Sequence, residues 1–231
     1  MRQEVLAALN AARAAARQAC LVRFLADGRT ALVVDGEPTA GEALEPAVLD
    51  AAREALRKDR SGTVETPIGS LFLQVFNPPL RLIVVGAVHI TQALAPMAEL
   101  AGYDVTVVDP RRAFASDERF PDVKVSQDWP DEALEQLRPD RRTAIVTLTH
   151  DPKLDDPALD VALRSEAFYV AALGSRRTHA ARIERLKALG HDDAAIARIH
   201  GPAGLDIGAV SPAEIAISVL AEMTRVLRHS G

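Results

Sequence analysis

Polar groups able to hold a charged ligand gather in three short segments of the second half of the chain. Thr149-His150-Asp151-Pro152-Lys153-Leu154-Asp155-Asp156 sets an imidazole, an ammonium and several carboxylates in one stretch, more than a turn requires. Asp-Pro is a turn former, and Asp156 followed by Pro157 reads as the N-cap and first residue of a helix. Gly174-Ser175-Arg176-Arg177-Thr178-His179 combines a glycine for close approach, a capping serine and two guanidinium groups. Unpaired amide N–H groups point outward at a helix start, so this string predicts an anion site. An ordinary capped helix with two solvated arginines is the structural alternative. His200-Gly201-Pro202-Ala203-Gly204-Leu205-Asp206-Ile207-Gly208 carries three glycines, which predicts backbone in unusual conformations close to a ligand. Asp206 either contacts that ligand or satisfies loop amides. Ser211-Pro212-Ala213-Glu214, just beyond, is a capping box and structural.

A fourth segment, Gly86-Ala87-Val88-His89-Ile90-Thr91, follows an apolar run where a dinucleotide phosphate turn would stand. Such a turn wants glycine at its first, third and sixth positions. Gly86 meets the first need. Val88 puts a side chain where pyrophosphate must approach the backbone, and Thr91 replaces the small third residue. Asp109 follows Gly86 by 23 residues, near the offset of a ribose-binding carboxylate. The acidic cue is present and the phosphate cue is damaged, so NAD(P) is the lesser cofactor reading. Pro110-Arg111-Arg112 reads either as a 2′-phosphate contact or as a solvated turn. His150, Asp151, His179, His200 and Asp206 contain no ligand pair at helical i, i+4 spacing, and no protein-held metal is predicted. No Gly-x-Ser-x-Gly elbow occurs, Ser175 reads as a cap, and no catalytic residue is assigned.

These segments need a frame that brings them together. From Leu80 onward apolar runs alternate with helical patterns: strands at Leu80–Val85, Val105–Val108, Val123–Val125, Ala144–Leu148 and Phe168–Leu173, and helices at His89–Ala101, Glu132–Leu137, Pro157–Arg164, Thr178–Leu189, Ala194–Ile199 and Pro212–Leu227. That alternation predicts right-handed βαβ units and a doubly wound, Rossmann-like parallel sheet, with the ligand segments at strand C-termini. Residues 1–78 read as a small α+β domain. Helices cover Arg2–Ala19 and Val48–Lys58, with strands at Cys20–Ala26, Thr30–Val34, Thr63–Thr66 and Ser70–Phe76, the first two joined by an Asp27-Gly28 turn. Asn77-Pro78-Pro79 breaks the chain there, so the expected domains are 1–78 and 79–231.

Composition narrows the classes of function. The 231 residues are 48% hydrophobic and 26% charged, the balance of a globular protein rather than a disordered one. Net charge is 27 − 32 = −5, divided −1 and −4 on either side of Pro78, so nucleic acid and anionic membrane are not expected partners. No run of apolar residues is long enough to span a bilayer. The Ala- and Arg-rich start reads as an amphipathic surface helix, and the protein as cytoplasmic. Cys20 is the single cysteine, which excludes a disulfide framework or a cysteine-built cluster within one chain and predicts a packed, inert thiol.

The strings around Gly86, Asp109, His150, Gly174 and His200 resemble the XdhC/CoxI family, accessory proteins of xanthine dehydrogenase and related molybdenum hydroxylases. The resemblance covers about Pro78–Leu227, and the Thr-His-Asp-Pro-Lys-Leu-Asp and Gly-Pro…Gly-Leu-Asp-Ile-Gly strings are its most specific parts. It implies a chaperone rather than a catalyst. Such a protein binds molybdenum cofactor (molybdopterin or its cytosine dinucleotide), protects it while a cysteine desulfurase installs its sulfur, and delivers it to the apo-hydroxylase. By motif position, Gly174, Ser175, Arg176 and Arg177 would hold phosphate, and His150, Lys153 and Asp155 would line the pterin or metal end. Asp109 would lie near a ribose or pterin amine, and Gly86, His89, Arg111, Gly204 and Asp206 would complete the site. Two features depart from the family pattern. Val88 stands where the phosphate turn usually has glycine, and residues 1–78 lack the usual Gly-Gly-Cys and Ser-Ser-Pro-Arg-like stretches. A first domain without them is left for dimerisation or for docking to a partner, and the other classes open are an NAD(P)-dependent oxidoreductase and a non-catalytic nucleotide-binding regulatory module.

Overall fold

Two kinds of apolar pattern build two kinds of sheet in this computed structural model, which describes residues 2–114 and 118–229. One compact unit ends at Pro78 and the other begins at Pro79. The first runs α1 (Gln3–Ala14), β1 (Ala19–Phe24), β2 (Thr30–Val34), β3 (Glu37–Gly41), α2 (Pro46–Lys58), β4 (Gly62–Thr66) and β5 (Gly69–Phe76). Its sheet is antiparallel throughout, in the order β3-β2-β1-β5-β4. Val5, Leu9 and Ala12 of α1 cover one face against Leu21, Leu32 and Val34, while Val48, Ala52 and Leu56 of α2 cover the other against Cys20, Val22 and Leu73. Helices on both faces explain why β1 and β2 read as near-continuous apolar runs rather than as alternations.

Two expectations change in this unit. The first helix ends at Ala14 rather than Ala19, and Ala16 takes a left-handed φ of 51° as the chain turns toward β1. β3 was not foreseen, because Glu37-Pro38-Thr39-Ala40-Gly41 has neither alternation nor bulk. It is an edge strand with its proline and a register shift opposite Leu32 and Val33, features that suit an edge and hide a strand from pattern reading.

The second unit runs β6 (Leu80–Val85), α3 (His89–Leu100), β7 (Tyr103–Val108), β8 (Lys124–Ser126), α4 (Pro130–Leu137), β9 (Thr143–Thr147), α5 (Pro152–Arg164), β10 (Tyr169–Ala172), α6 (Arg176–Ala188), α7 (Asp193–Ile196), β11 (Ile199–His200) and α8 (Pro212–His229). All six strands are parallel, in the order β11-β10-β9-β6-β7-β8. Strand order reverses between β6 and β9, which makes their C-terminal ends the topological switch point where such sheets take ligands. Leu94, Ala98, Val219 and Met223 pack α3 and α8 on one face, and Leu134, Leu159, Leu163 and Leu186 pack α4, α5 and α6 on the other. The unit is thus a doubly wound α/β sheet of Rossmann type, as expected.

Three of the boundaries that move bear on the site, two of them through a cap and one through strand pairing. α5 begins at Pro152, not Pro157: the Asp151 carboxylate accepts from the Lys153 amide and caps the helix, so Lys153 and Asp155 lie in its first turn instead of a loop. Pro157 sits inside the helix without the amide that would reach back one turn. α6 begins at Arg176, just after its cap Ser175. The helix expected over Ala194–Ile199 ends at Ile196, and Ile199 instead pairs with Val170 as an edge strand.

Cys20 is fully buried among Val22, Val33 and Leu71, and that burial pushes its thiol up to about 12. The folded protein should therefore leave Cys20 unreacted with Ellman's reagent at pH 8, with one thiol appearing along the denaturant unfolding curve. Rapid labelling of the native protein would show that β1 is open to solvent.

Candidate functional site

The turns that follow β6, β9 and β10 meet at the C-terminal edge of the parallel sheet. Gly86 has a φ of 114°, and a Cβ there would stand 2.8 Å from the Thr149 Cγ2 and 3.3 Å from its amide nitrogen. Glycine at this position therefore lets the turns after β6 and β9 touch across the switch point. The Thr91 hydroxyl closes the same turn by donating to the Gly86 carbonyl. Val88 is the N-cap of α3 and offers no side-chain cap, and His89 begins that helix exposed to solvent.

Asp109, the expected ribose contact, is fully buried and fully occupied. One of its oxygens accepts from the Ala87 amide (2.8 Å) and the Arg111 Nη2 (2.7 Å), the other from the Arg111 amide (3.0 Å) and Nε (2.9 Å). Burial pushes the carboxyl up, but Arg111 and the two amides outweigh it and hold Asp109 below the usual carboxylate range. Arg111 is raised in turn by its bond to Asp109, and its guanidinium lies 4.7 Å from the Phe114 ring centre. The pair expected to read a nucleotide is spent on itself.

Asp155 is also turned inward, 1% exposed. It accepts from the Thr149 hydroxyl at 2.6 Å and faces the Arg182 Nη2 at 3.5 Å, while that same nitrogen donates to the Leu173 carbonyl at 2.9 Å. One carboxylate and one guanidinium thus tie the turn after β9 to the turn after β10. Burial raises the Asp155 carboxyl against Thr149 and Arg182, and burial lowers Arg182 against Asp155. Arg182 is 2% exposed, and its Nε and Nη1 find no protein partner among the described residues. Sequence reading missed it. The available signal was its place in the buried stripe of α6 with Leu186 four residues on, where a charge needs a partner. Asp156, expected as a cap, instead pairs with Arg185.

The rim of the crevice is basic. His150 is exposed with a left-handed φ of 62°, rare for a residue with a side chain, and Lys153 is exposed in the first turn of α5. Ser175 caps α6 by accepting from the Thr178 amide at 3.1 Å. Gly174, at φ 146°, lets the Thr178 side chain sit within 3.1 Å of where a Cβ would be. Arg176 and Arg177 follow, exposed and without an ion pair among the described residues.

The glycine-rich third loop is built for packing. A Cβ on Gly201 would fall inside the His179 ring, and one on Gly204 would strike Ser218 of α8. The Gly204 amide and the Tyr169 hydroxyl both donate to the buried Glu222 carboxylate, at 3.0 and 2.8 Å. Burial and Arg182 keep the His179 imidazole below its usual range. Asp206 is exposed further along the loop.

A parallel sheet that reverses at β6 and β9, with a first turn lacking the later glycines of a phosphate turn and a basic rim on the other side of the switch point, is a Rossmann-type domain of altered design. The model of the XdhC Rossmann domain matches residues 82–223, and the chain belongs to that family. It is 36% identical over 70% of its length to the uncharacterized Escherichia coli protein YqeB, and 32% identical over 67% to the E. coli molybdenum cofactor insertion chaperone PaoD. A probable xanthine dehydrogenase subunit from Bacillus subtilis is 32% identical over 69% of the chain. The chain spans 30%, 42% and 47% of those three proteins. A Bacillus halodurans protein solved as a xanthine dehydrogenase (BH1974) superposes with a TM-score of 0.70 at 26% identity, covering 93% of this chain and 64% of that one.

Two outcomes follow from the occupied Asp109. A depressed carboxyl contributes stability above its unfolded pKa of about 3.9 and loses it as pH falls through the folded value. Asp109→Asn should therefore cost about 1–3 kcal/mol at pH 7, with the gap to the parent narrowing below about pH 4. A gap that stays constant from pH 7 to pH 3 in denaturant titrations would contradict the depression. Calorimetry with millimolar NAD+ or NADP+ should register no binding; micromolar affinity would mean that Arg111 yields its carboxylate.

Proposed function

We propose that this protein is an accessory chaperone that holds molybdenum cofactor, as molybdopterin or its cytosine dinucleotide, at the C-terminal edge of the parallel sheet. It protects the cofactor while a cysteine desulfurase installs the terminal sulfur, then passes it to the apo-form of a xanthine-dehydrogenase-type hydroxylase. The observation that carries this reading is the start of α6. Ser175 consumes the Thr178 amide, and the amides and guanidinium groups of Arg176 and Arg177 remain for an anion beside the buried Arg182. The name of the relative PaoD supports the choice of ligand.

The donor set fits the phosphate end of such a cofactor: two helix amides, two exposed guanidinium groups and no carboxylate in the first turn of α6. The cofactor, when bound, supplies the redox chemistry of the client hydroxylase, and this chain performs none of it. Arg176 and Arg177 bind and orient the phosphate. His150 and Lys153, on the opposite rim, contact the pterin end. Asp155 and Arg182 hold the two rims at a fixed separation, and Asp109 with Arg111 braces the first turn, so both carboxylates position the site rather than touch the ligand.

Protein from a molybdenum-replete host should release a pterin that becomes fluorescent after acid oxidation, at up to about one per chain. Arg176→Ala with Arg177→Ala should lower retention, each lost charge-assisted contact being worth about 1.5–3 kcal/mol, while the melting temperature holds. No released pterin, together with no uptake when cofactor is supplied, rejects the reading.

A further inference from the structure

The two edges of the antiparallel sheet differ. β3 carries Pro38 and a register shift, both of which discourage another strand from pairing. β4, at the other edge, carries neither: its ladder with β5 runs without a break from Gly62–Leu73 to Thr66–Gly69. The Ser70 carbonyl accepts from the Leu25 amide beyond β1, so Ser70 directs its main-chain groups away from β4. Antiparallel alternation then places Gly62, Val64 and Thr66 in the hydrogen-bonded pairs with β5. Thr63 and Glu65 are left with their N–H and C=O groups facing outward along the free edge, and no strand pairs there among the described residues.

A groove of about 540 Å³ runs beside that edge. Ala51, Ala55 and Lys58 of α2, spaced i, i+4, i+7, form one wall, and Val64 with Leu73 forms the floor. Arg60 lies at its Gly62 end and makes no ion pair among the described residues, whereas the Glu54 carboxylate on the groove wall is taken by both Arg57 (2.6 Å) and Lys58 (2.8 Å). An unpaired strand edge, an adjacent helix wall and an apolar floor are the parts of a strand-addition site.

We propose that β4 and α2 receive an extended segment of a partner protein as a sixth strand, antiparallel to β4. Main-chain bonds to Thr63 and Glu65 would hold it. The residue opposite Val64 would send its side chain to the same face as Val64, into the groove, and the residue two further toward the C-terminus would lie opposite Gly62, beside Arg60. The sequence taken is therefore an apolar residue, any residue, then Asp or Glu. This surface does not depend on the cofactor reading, since every residue in it belongs to the first unit.

The test is selection of peptides of about seven residues from a random display library on the full-length protein, followed by titration of the winning synthetic peptide. Enriched sequences should share the apolar-x-acidic spacing, and binding should protect the Thr63 and Glu65 amides from hydrogen exchange. N-methylating the peptide at the two positions that pair with those residues should weaken binding by about tenfold each, whereas methylation at the intervening position should not. Arg60→Glu should reverse the preference for the acidic residue without moving the melting temperature. Enrichment without that spacing, indifference to N-methylation, or no enrichment at all overturns the proposal. So does a chain that dimerises through β4, shown by Val64→Lys converting a dimer to a monomer in sedimentation.

Discussion

Everything at the ligand edge of the parallel sheet hangs on a carboxylate that water does not reach. Asp155 takes the Thr149 hydroxyl on one side and faces Arg182 on the other, and Arg182 continues to the Leu173 carbonyl. Those contacts link the turns after β9 and β10 with no side chain from the surface. Removing either partner would leave a buried charge alone, a change that typically costs about 3–5 kcal/mol. The fold therefore has little freedom to spread the two rims. Rigidity of that kind fixes the relative placement of whatever groups the two turns present.

The adjacent half of the crevice has gone the other way. In a dinucleotide-binding sheet the first turn and the acidic residue after the second strand face the ligand. Here Val88 caps α3 without a polar side chain, and Asp109 is saturated by Arg111 and the Ala87 amide. Exposed polar groups without an ion pair among the described residues lie beyond the switch point, on the turns after β9 and β10. The fold keeps its shape while the unspent polar groups sit on the other side of the switch point.

Much of this was legible in the residues. The βαβ alternation, the Ser175 cap and the capping box at Ser211 are local, and local physics sets them: the Glu214 carboxylate accepts from the Ser211 amide at 2.8 Å, as that motif requires. Two of the misreadings turned on a partner distant in the chain, and two on local signals that the sequence offers ambiguously. Asp155 looked like a loop carboxylate because Arg182, which buries it, is 27 residues away. Gly201 and Gly204 looked like ligand-facing glycines because His179 and Ser218, which crowd them, lie on other elements. Asp156 looked like a cap because Asp-Pro occurs twice within seven residues, and only the bond to Lys153 selects the first. β3 escaped because an edge strand needs no apolar pattern.

The self-contained Asp109–Arg111 pair also shapes the field felt from outside. With Asp109 answered by Arg111, Asp155 by Arg182 and Asp156 by Arg185, the inner charges of the crevice cancel locally. Among the described residues on the turns after β9 and β10, Lys153, Arg176 and Arg177 stand against Asp151, a locally positive cluster on a chain whose net charge is −5. Such a cluster attracts an anion locally even though the chain as a whole is acidic. Capture would be quick in dilute buffer and slower as salt shortens the reach of that field, to about 10 Å at 0.1 M.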